Sequence, residues 1–131
     1  MRDETNFPQR FSWFISMTAD ELYEATTARI GRLIQLRNEQ DFRVEEYEKV
    51  LVAKGKTIPM RAASLWEEDG IDDLDERLFH KALRNREDLQ REIDDYSKTR
   101  NFLARMDDGR QLMLKLQDYE YFFSPVDFEV Y

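Results

Sequence analysis

Two long stripes of residues, each stepping by three or four positions, constrain this chain more than any other feature of its sequence. The first runs Leu22, Thr26, Ile30, Leu33, Arg37, Gln40, Val44, Tyr47, Leu51. The second runs Leu78 or Phe79, Ala82, Arg86, Leu89, Ile93, Tyr96, Arg100, Leu103. Residues three and four apart share one face of an α-helix. Stripes of this length predict two long amphipathic helices whose apolar faces need a cover. Two such helices joined by a short connector most simply pack as an antiparallel hairpin, with Leu33, Val44, Leu89 and Ile93 in one seam. The alternating step of the second stripe is that of a coiled-coil heptad, with Arg at every second "a" position, and Arg37 interrupts the first stripe in the same way. Carboxylates are expected opposite these arginines, because an unpaired buried charge is strongly destabilising.

Local signals bound the elements. Thr18 with Glu21 three residues later forms a capping box, in which hydroxyl and carboxylate each satisfy an orphan backbone N–H. The first long helix is therefore expected over 18–55, with Gly55 as a left-handed stop between Lys54 and Lys56. Unbroken, it would hold about 36 residues over about 54 Å. Its middle, Arg37 to Asp41, is polar on every side, so a kink or break near Asn38–Asp41 is the alternative. Pro59 forbids a helix through Ile58. A short helix is expected over 59–69, burying Met60, Ala63 and Leu65, with Trp66 as a further candidate. Asp72 or Asp73 can cap the second long helix, over 72–107. A turn at Asp107–Gly109 leads into 110–123. There Leu112, Leu116, Tyr119 and Phe123 make a helix face, while Leu112, Leu114 and Leu116 also alternate as in a strand. The abundance of good helix formers favours helix, with strand as the alternative.

Both ends are aromatic. Ten of the 17 aromatic residues lie within 1–14 and 119–131. In the N-terminal arm, 1–17, Phe11, Trp13 and Ile15 alternate with Ser12, Phe14 and Ser16. In the C-terminal arm, 125–131, Val126, Phe128 and Val130 alternate with Asp127, Glu129 and Tyr131. Both are short strand patterns. Either the arms fold back and complete the core, or they dock on another chain by strand addition or aromatic anchoring. The partner-binding candidates are Phe7, Phe11, Trp13, Phe14, Tyr121, Phe122, Phe128 and Tyr131. Tyr119 and Phe123 are assigned to the core, and Phe128 and Tyr131 to docking.

The fold expected is mainly α, a single helical domain of 131 residues built on a long antiparallel hairpin, with one or two shorter helices and extended arms. A chain of this length can bury one core without staples. Its charged fraction of 37% exceeds the usual ~25%, which with only four Gly and three Pro favours long helices.

Composition narrows the chemistry. The net charge of −8 and the scatter of the 20 bases argue against direct nucleic-acid binding. The absence of Cys excludes disulfides, thiolate metal sites and a cysteine nucleophile. No apolar run approaches the ~18 residues of a membrane span. The first seventeen residues lack the apolar core of a signal peptide, so a cytoplasmic location, or a particle assembled in the cytoplasm, is expected. Glu67, Glu68, Asp69, Asp72, Asp73, Asp75 and Glu76 resemble a cation loop in density but place Gly70 wrongly for an EF-hand, and read as capping and solvated acids. His80 is the sole histidine, with Glu76 one turn before it, and cannot complete a zinc or iron centre. The serines sit in no nucleophile elbow and the four glycines in no phosphate loop. No metal, cofactor or catalytic residue is expected. The chain reads as a non-catalytic protein–protein interaction module, binding itself or another protein as a small subunit or adaptor of a larger, viral or phage, assembly. The alternative is a small acidic inhibitor of a host enzyme or nucleoprotein, of the phage counter-defence type, imitating nucleic acid.

Overall fold

A computed structural model describes residues 14–124. Its elements, in order, are β1 (Phe14–Thr18), α1 (Ala19–Ala53), α2 (Leu65–Glu68), α3 (Leu74–Leu103), β2 (Gln111–Lys115) and α4 (Leu116–Phe123). The protein is mainly helical, and α1 packs against α3. The described residues divide into two compact units, one of 14–31 with 95–124 and one of 32–94, so both long helices contribute to each.

Local chemistry sets the bounds of α1. Thr18 N–H donates to Glu21 Oε1 at 2.8 Å, and Glu21 N–H donates to Thr18 Oγ1 at 3.1 Å. This is the reciprocal capping box expected from the sequence. Two further N–H groups at the start of the helix reach the turn before β2: Ala19 donates to the Arg110 carbonyl and Asp20 to that of Asp108. At the other end Lys56 N–H donates to Leu51 O at 2.9 Å and Gly55 N–H to Val52 O at 3.0 Å, with Gly55 at φ 76°. Those two bonds are a Schellman stop, and the positive φ requires glycine. The helix runs unbroken through Asn38–Asp41, so no break forms there. Helical spacing continues through that polar stretch with Leu36 and Gln40 both buried.

In the unit of residues 32–94, the expected seam is buried: Leu33, Val44 and Leu51 from α1, and Phe79, Ala82, Leu89 and Ile93 from α3. Leu36, Leu83 and His80 join the buried set from beside the two stripes. The pairs Arg37–Gln90 and Asp41–Arg86, falling along α3 as they rise along α1, make the helices antiparallel. Arg86 meets a carboxylate, Asp41, at 3.5 Å. Arg37 does not. It donates to the amide oxygen of Gln90 at 2.8 Å, because half-burial leaves the guanidinium wet enough for a neutral acceptor to suffice.

The short helix expected over 59–69 shrinks to the single turn Leu65–Glu68. Pro59 keeps Ile58 out of a helix, and the chain bends at Met60 and Arg61, so Ile58 and Ala62 pack inward on the Val44, Leu51, Phe79 cluster while Met60 between them is fully exposed. Ser64 then starts the turn with its own capping box, Ser64 N–H to Glu67 Oε1 at 3.0 Å and Glu67 N–H to Ser64 Oγ at 3.1 Å. Met60, Leu65 and Trp66, expected inside, therefore lie outside. The second long helix spans Leu74–Leu103 rather than 72–107 because Asp73 is its cap: Asp73 Oδ1 accepts from Glu76 N–H at 2.9 Å.

In the unit of residues 14–31 and 95–124, β1 and β2 pair antiparallel, Ile15 opposite Leu114 and Met17 opposite Leu112. These four side chains are buried or half-buried, and Leu114 packs with Leu22 and Leu103, flanked by Met17, Met106, Leu112 and Phe122. The helix expected over 110–123 is therefore a strand followed by a helix. Pairing with β1 and burial of Leu112 and Leu114 override the helix propensity of residues 111–115. Thr26, polar but wholly buried, donates its hydroxyl to Leu22 O at 2.7 Å. The extended patterns of residues 1–13 and 125–131 lie outside the described residues, as do Phe7, Phe11, Trp13, Phe128 and Tyr131.

Candidate protein-interaction surfaces

The connector between α1 and α3 is pinned at several points. Its entry is held by Ala63 N–H, which donates to Nδ1 of the buried His80 at 2.9 Å. The sole histidine thus acts as a structural acceptor, with its ring edge-on to Phe79 at 5.8 Å. The turn α2 is fixed by its capping box and by the ion pair of Glu68 with Arg84 of α3. At 100° per residue, the residue two positions before Glu68 points to the opposite side of the turn. That residue is Trp66, which is 87% exposed. Met60 at 101%, Leu65 at 67% and Leu74 at 62% surround it in sequence. Tryptophan is highly buried on average, so four large apolar side chains in water on an anchored loop are informative. An open groove of about 560 Å³ is lined by Met60 together with Pro59, Ala63, Glu67, Ile71 and His80 among others. The sequence carried a signal for where this turn starts: Ser64-x-x-Glu67 repeats the capping-box spacing that opened α1.

Acids of the connector hold the exit end together. Lys54 Nζ lies 2.9 Å from Asp73 and 2.7 Å from Asp75, and Lys56 Nζ lies 3.2 Å from Glu76. The Lys54 ammonium, and after it the Glu76 N–H, hold the Asp73 carboxyl below its ordinary value of 3.8. The Ser64 N–H and then its hydroxyl lower that of Glu67 below 4.5. Hydrogen bonds to Asp75 and Asp73 raise Lys54 above 10.5. A carboxylate depressed on folding contributes stability above its unfolded value and loses it as pH falls through its folded value. The raised ammonium contributes below its unfolded value and loses that as pH rises through the folded one. The melting temperature should thus fall as pH drops below about 4 and again in strong base. Asp73→Asn should flatten the acid limb, and an unchanged acid limb would refute the pairing. Among the described residues no three His, Asp or Glu side chains converge as metal ligands would.

The second surface belongs to the other unit. On the outer face of the sheet, Ser16 and Gln111 join by a 2.7 Å hydrogen bond, while Phe14 and Met113, diagonal across the strand pair, are 48% and 66% exposed. Behind the sheet, α4 is tied to the long helices by a polar and aromatic chain. Arg29 donates to Tyr96 Oη at 3.1 Å, Tyr96 Oη donates to Tyr121 O at 2.6 Å, and the two tyrosine rings stack at 4.2 Å. Of the sequence candidates, Phe14 and Tyr121 come to this unit's surface, and Phe122 packs against Leu22, Leu103 and Leu114. Phe123, assigned to the core from sequence, is instead exposed and stacks on the half-buried Tyr119 at 4.8 Å. Because α4 starts at Leu116 rather than near 110, its inward face is one position away from that expected. Phe102, missed in the sequence, is also exposed here.

Comparison with protein-family models, with curated proteins and with solved structures finds no match for this chain.

Proposed function

We propose that this protein is a non-catalytic protein–protein interaction module, a small subunit or adaptor of a larger assembly. The supporting observation is the outer face of the β1–β2 sheet, where Phe14 and Met113 stand in water among Ser16, Thr18, Gln111 and Lys115. A solvated antiparallel face ordinarily alternates to polar side chains. Two large apolar residues there, with the exposed Leu116 following Lys115, form a surface suited to burial against a second protein. A module that builds assemblies should associate with itself. Light-scattering mass should rise with protein concentration, and the double variant Phe14→Ser, Met113→Ser should stay monomeric with unchanged circular dichroism. A wild-type chain that remains monomeric at every concentration would overturn the assembly reading.

A further inference from the structure

The connector between α1 and α3 supports a more specific inference, resting on the interaction-module reading but on a different surface. We propose that Trp66, with Met60 and Leu65, is the anchor for a protein segment presenting an apolar stripe flanked by Lys and Arg, as a basic amphipathic helix does. Three observations carry this.

The first is preorganisation. A capping box, the Glu68–Arg84 ion pair and the Ala63–His80 hydrogen bond together hold one turn so that Trp66 faces away from α3. An anchor already fixed in its bound geometry loses little conformational entropy on docking. Trp is also among the residue types that dominate binding energy at interfaces.

The second is charge. Residues 64–76 hold seven carboxylates and no Lys or Arg. Glu68, Asp73, Asp75 and Glu76 are engaged by Arg84, Lys54 and Lys56. Among the described residues no ion pair reaches Asp69 or Asp72, which follow the exposed tryptophan in sequence, while Glu67 next to it feels the charge of Arg61. An apolar surface followed by carboxylates that no ion pair engages complements a partner carrying cations beside its apolar stripe, and it repels phosphate backbones. A second copy of this chain would bring the same acids against its own, so this surface favours a heterologous protein.

The third is the groove that Met60, one of the three anchor residues, helps to line. Pro59, Met60, Ala63 and Ile71 supply apolar walls and Glu67 a carboxylate, with Arg61 the one cation among its lining residues. Apolar walls ending in a carboxylate suit a long basic side chain, whose methylenes pack while its head reaches the charge.

The test uses the full chain and a fluorescently labelled helical peptide of leucine and lysine, with leucine–glutamine and leucine–glutamate peptides of the same pattern beside it. Anisotropy should show the lysine peptide binding, and weakening as salt rises. Trp66→Ala should weaken it by at least about tenfold, the loss expected of an interface anchor. The exposed position of Trp66 makes that variant a folded one. Asp69→Asn with Asp72→Asn should weaken it by a smaller factor, and the glutamine and glutamate peptides should bind far less. Equal binding by Trp66→Ala, or by the glutamine peptide, would overturn the proposal. So would wild-type chain, but not Trp66→Ala, sedimenting with zwitterionic vesicles, which would assign the surface to lipid. Self-association lost in Trp66→Ala would assign it to a second copy instead. Failure of the peptide alone leaves the Phe14–Met113 association standing, so the two readings fail separately.

Discussion

Leu89→Asp should abolish cooperative thermal unfolding and remove most of the helical circular dichroism. Leu89 is wholly buried in the second stripe. Loss of its methyl groups and the cavity left behind would cost about 2–5 kcal/mol. The introduced carboxylate would add the larger penalty of a charge placed among apolar side chains with no cation provided for it. Together these approach the entire stability of a domain of this size, roughly 5–15 kcal/mol. Leu89→Met, which keeps both volume and apolarity, should cost less than about 1.5 kcal/mol. The contrast separates loss of the seam from a general intolerance at the site. An Asp variant that melts cooperatively within about 2 °C of wild type would show that α1 and α3 are not held together there.

A change of opposite sign is expected at Gln40. This side chain is wholly buried in α1, and among the described residues neither its amide nitrogen nor its amide oxygen has a hydrogen-bond partner. A buried, unsatisfied amide costs about 1–3 kcal/mol relative to an apolar group of the same shape. Methionine is close to glutamine in length and carries no polar group that needs a partner. Gln40→Met should therefore raise the melting temperature by several degrees, about 1–3 kcal/mol. A melting temperature that falls would mean the amide is satisfied in solution and the strip requires a polar group. Polar residues at such seam positions serve elsewhere to select one register or oligomer at a cost in stability. Light scattering on the stabilised variant checks this directly: an oligomeric state different from wild type would assign Gln40 that selecting role.

The Thr18–Glu21 box and the Gly55 stop were both legible because each is a contact within a few residues, with a side-chain chemistry that has few alternatives. Asp73 is a case of the same kind, chosen from two candidates by the geometry of one N–H. The buried stripes were legible for a related reason. Period 3.6 places Leu22, Ile30, Leu33, Val44 and Leu51 on one face whatever covers that face.

The candidate surfaces were legible in part. Phe14 and Tyr121 were picked out by aromatic density at the chain ends. Density does not say which ring of a helical run points inward, and the later start of α4 exchanged Phe122 for Phe123. The connector was misread more fully. An amphipathic-looking run from Met60 to Trp66 invited burial, yet the chain bends at Met60 and Arg61 and the helix begins only after Ser64, leaving Met60, Leu65 and Trp66 exposed.

By itself the sequence determined the two long helices, their caps and the faces they bury, because periodicity and capping act over a few residues through covalent neighbours. Tertiary structure alone decided three other things. Residues 111–115 became a strand because β1, some 95 positions away, supplies the backbone partners that a local helix would have found within itself. Arg37 settled on an amide because Gln90, not a carboxylate, arrives opposite it when α1 and α3 run antiparallel. Trp66 faces water because Arg84 of α3 takes hold of Glu68 from the other side of the same turn. Each of these depends on a group far away in the chain, and no local pattern encodes where such a group will lie.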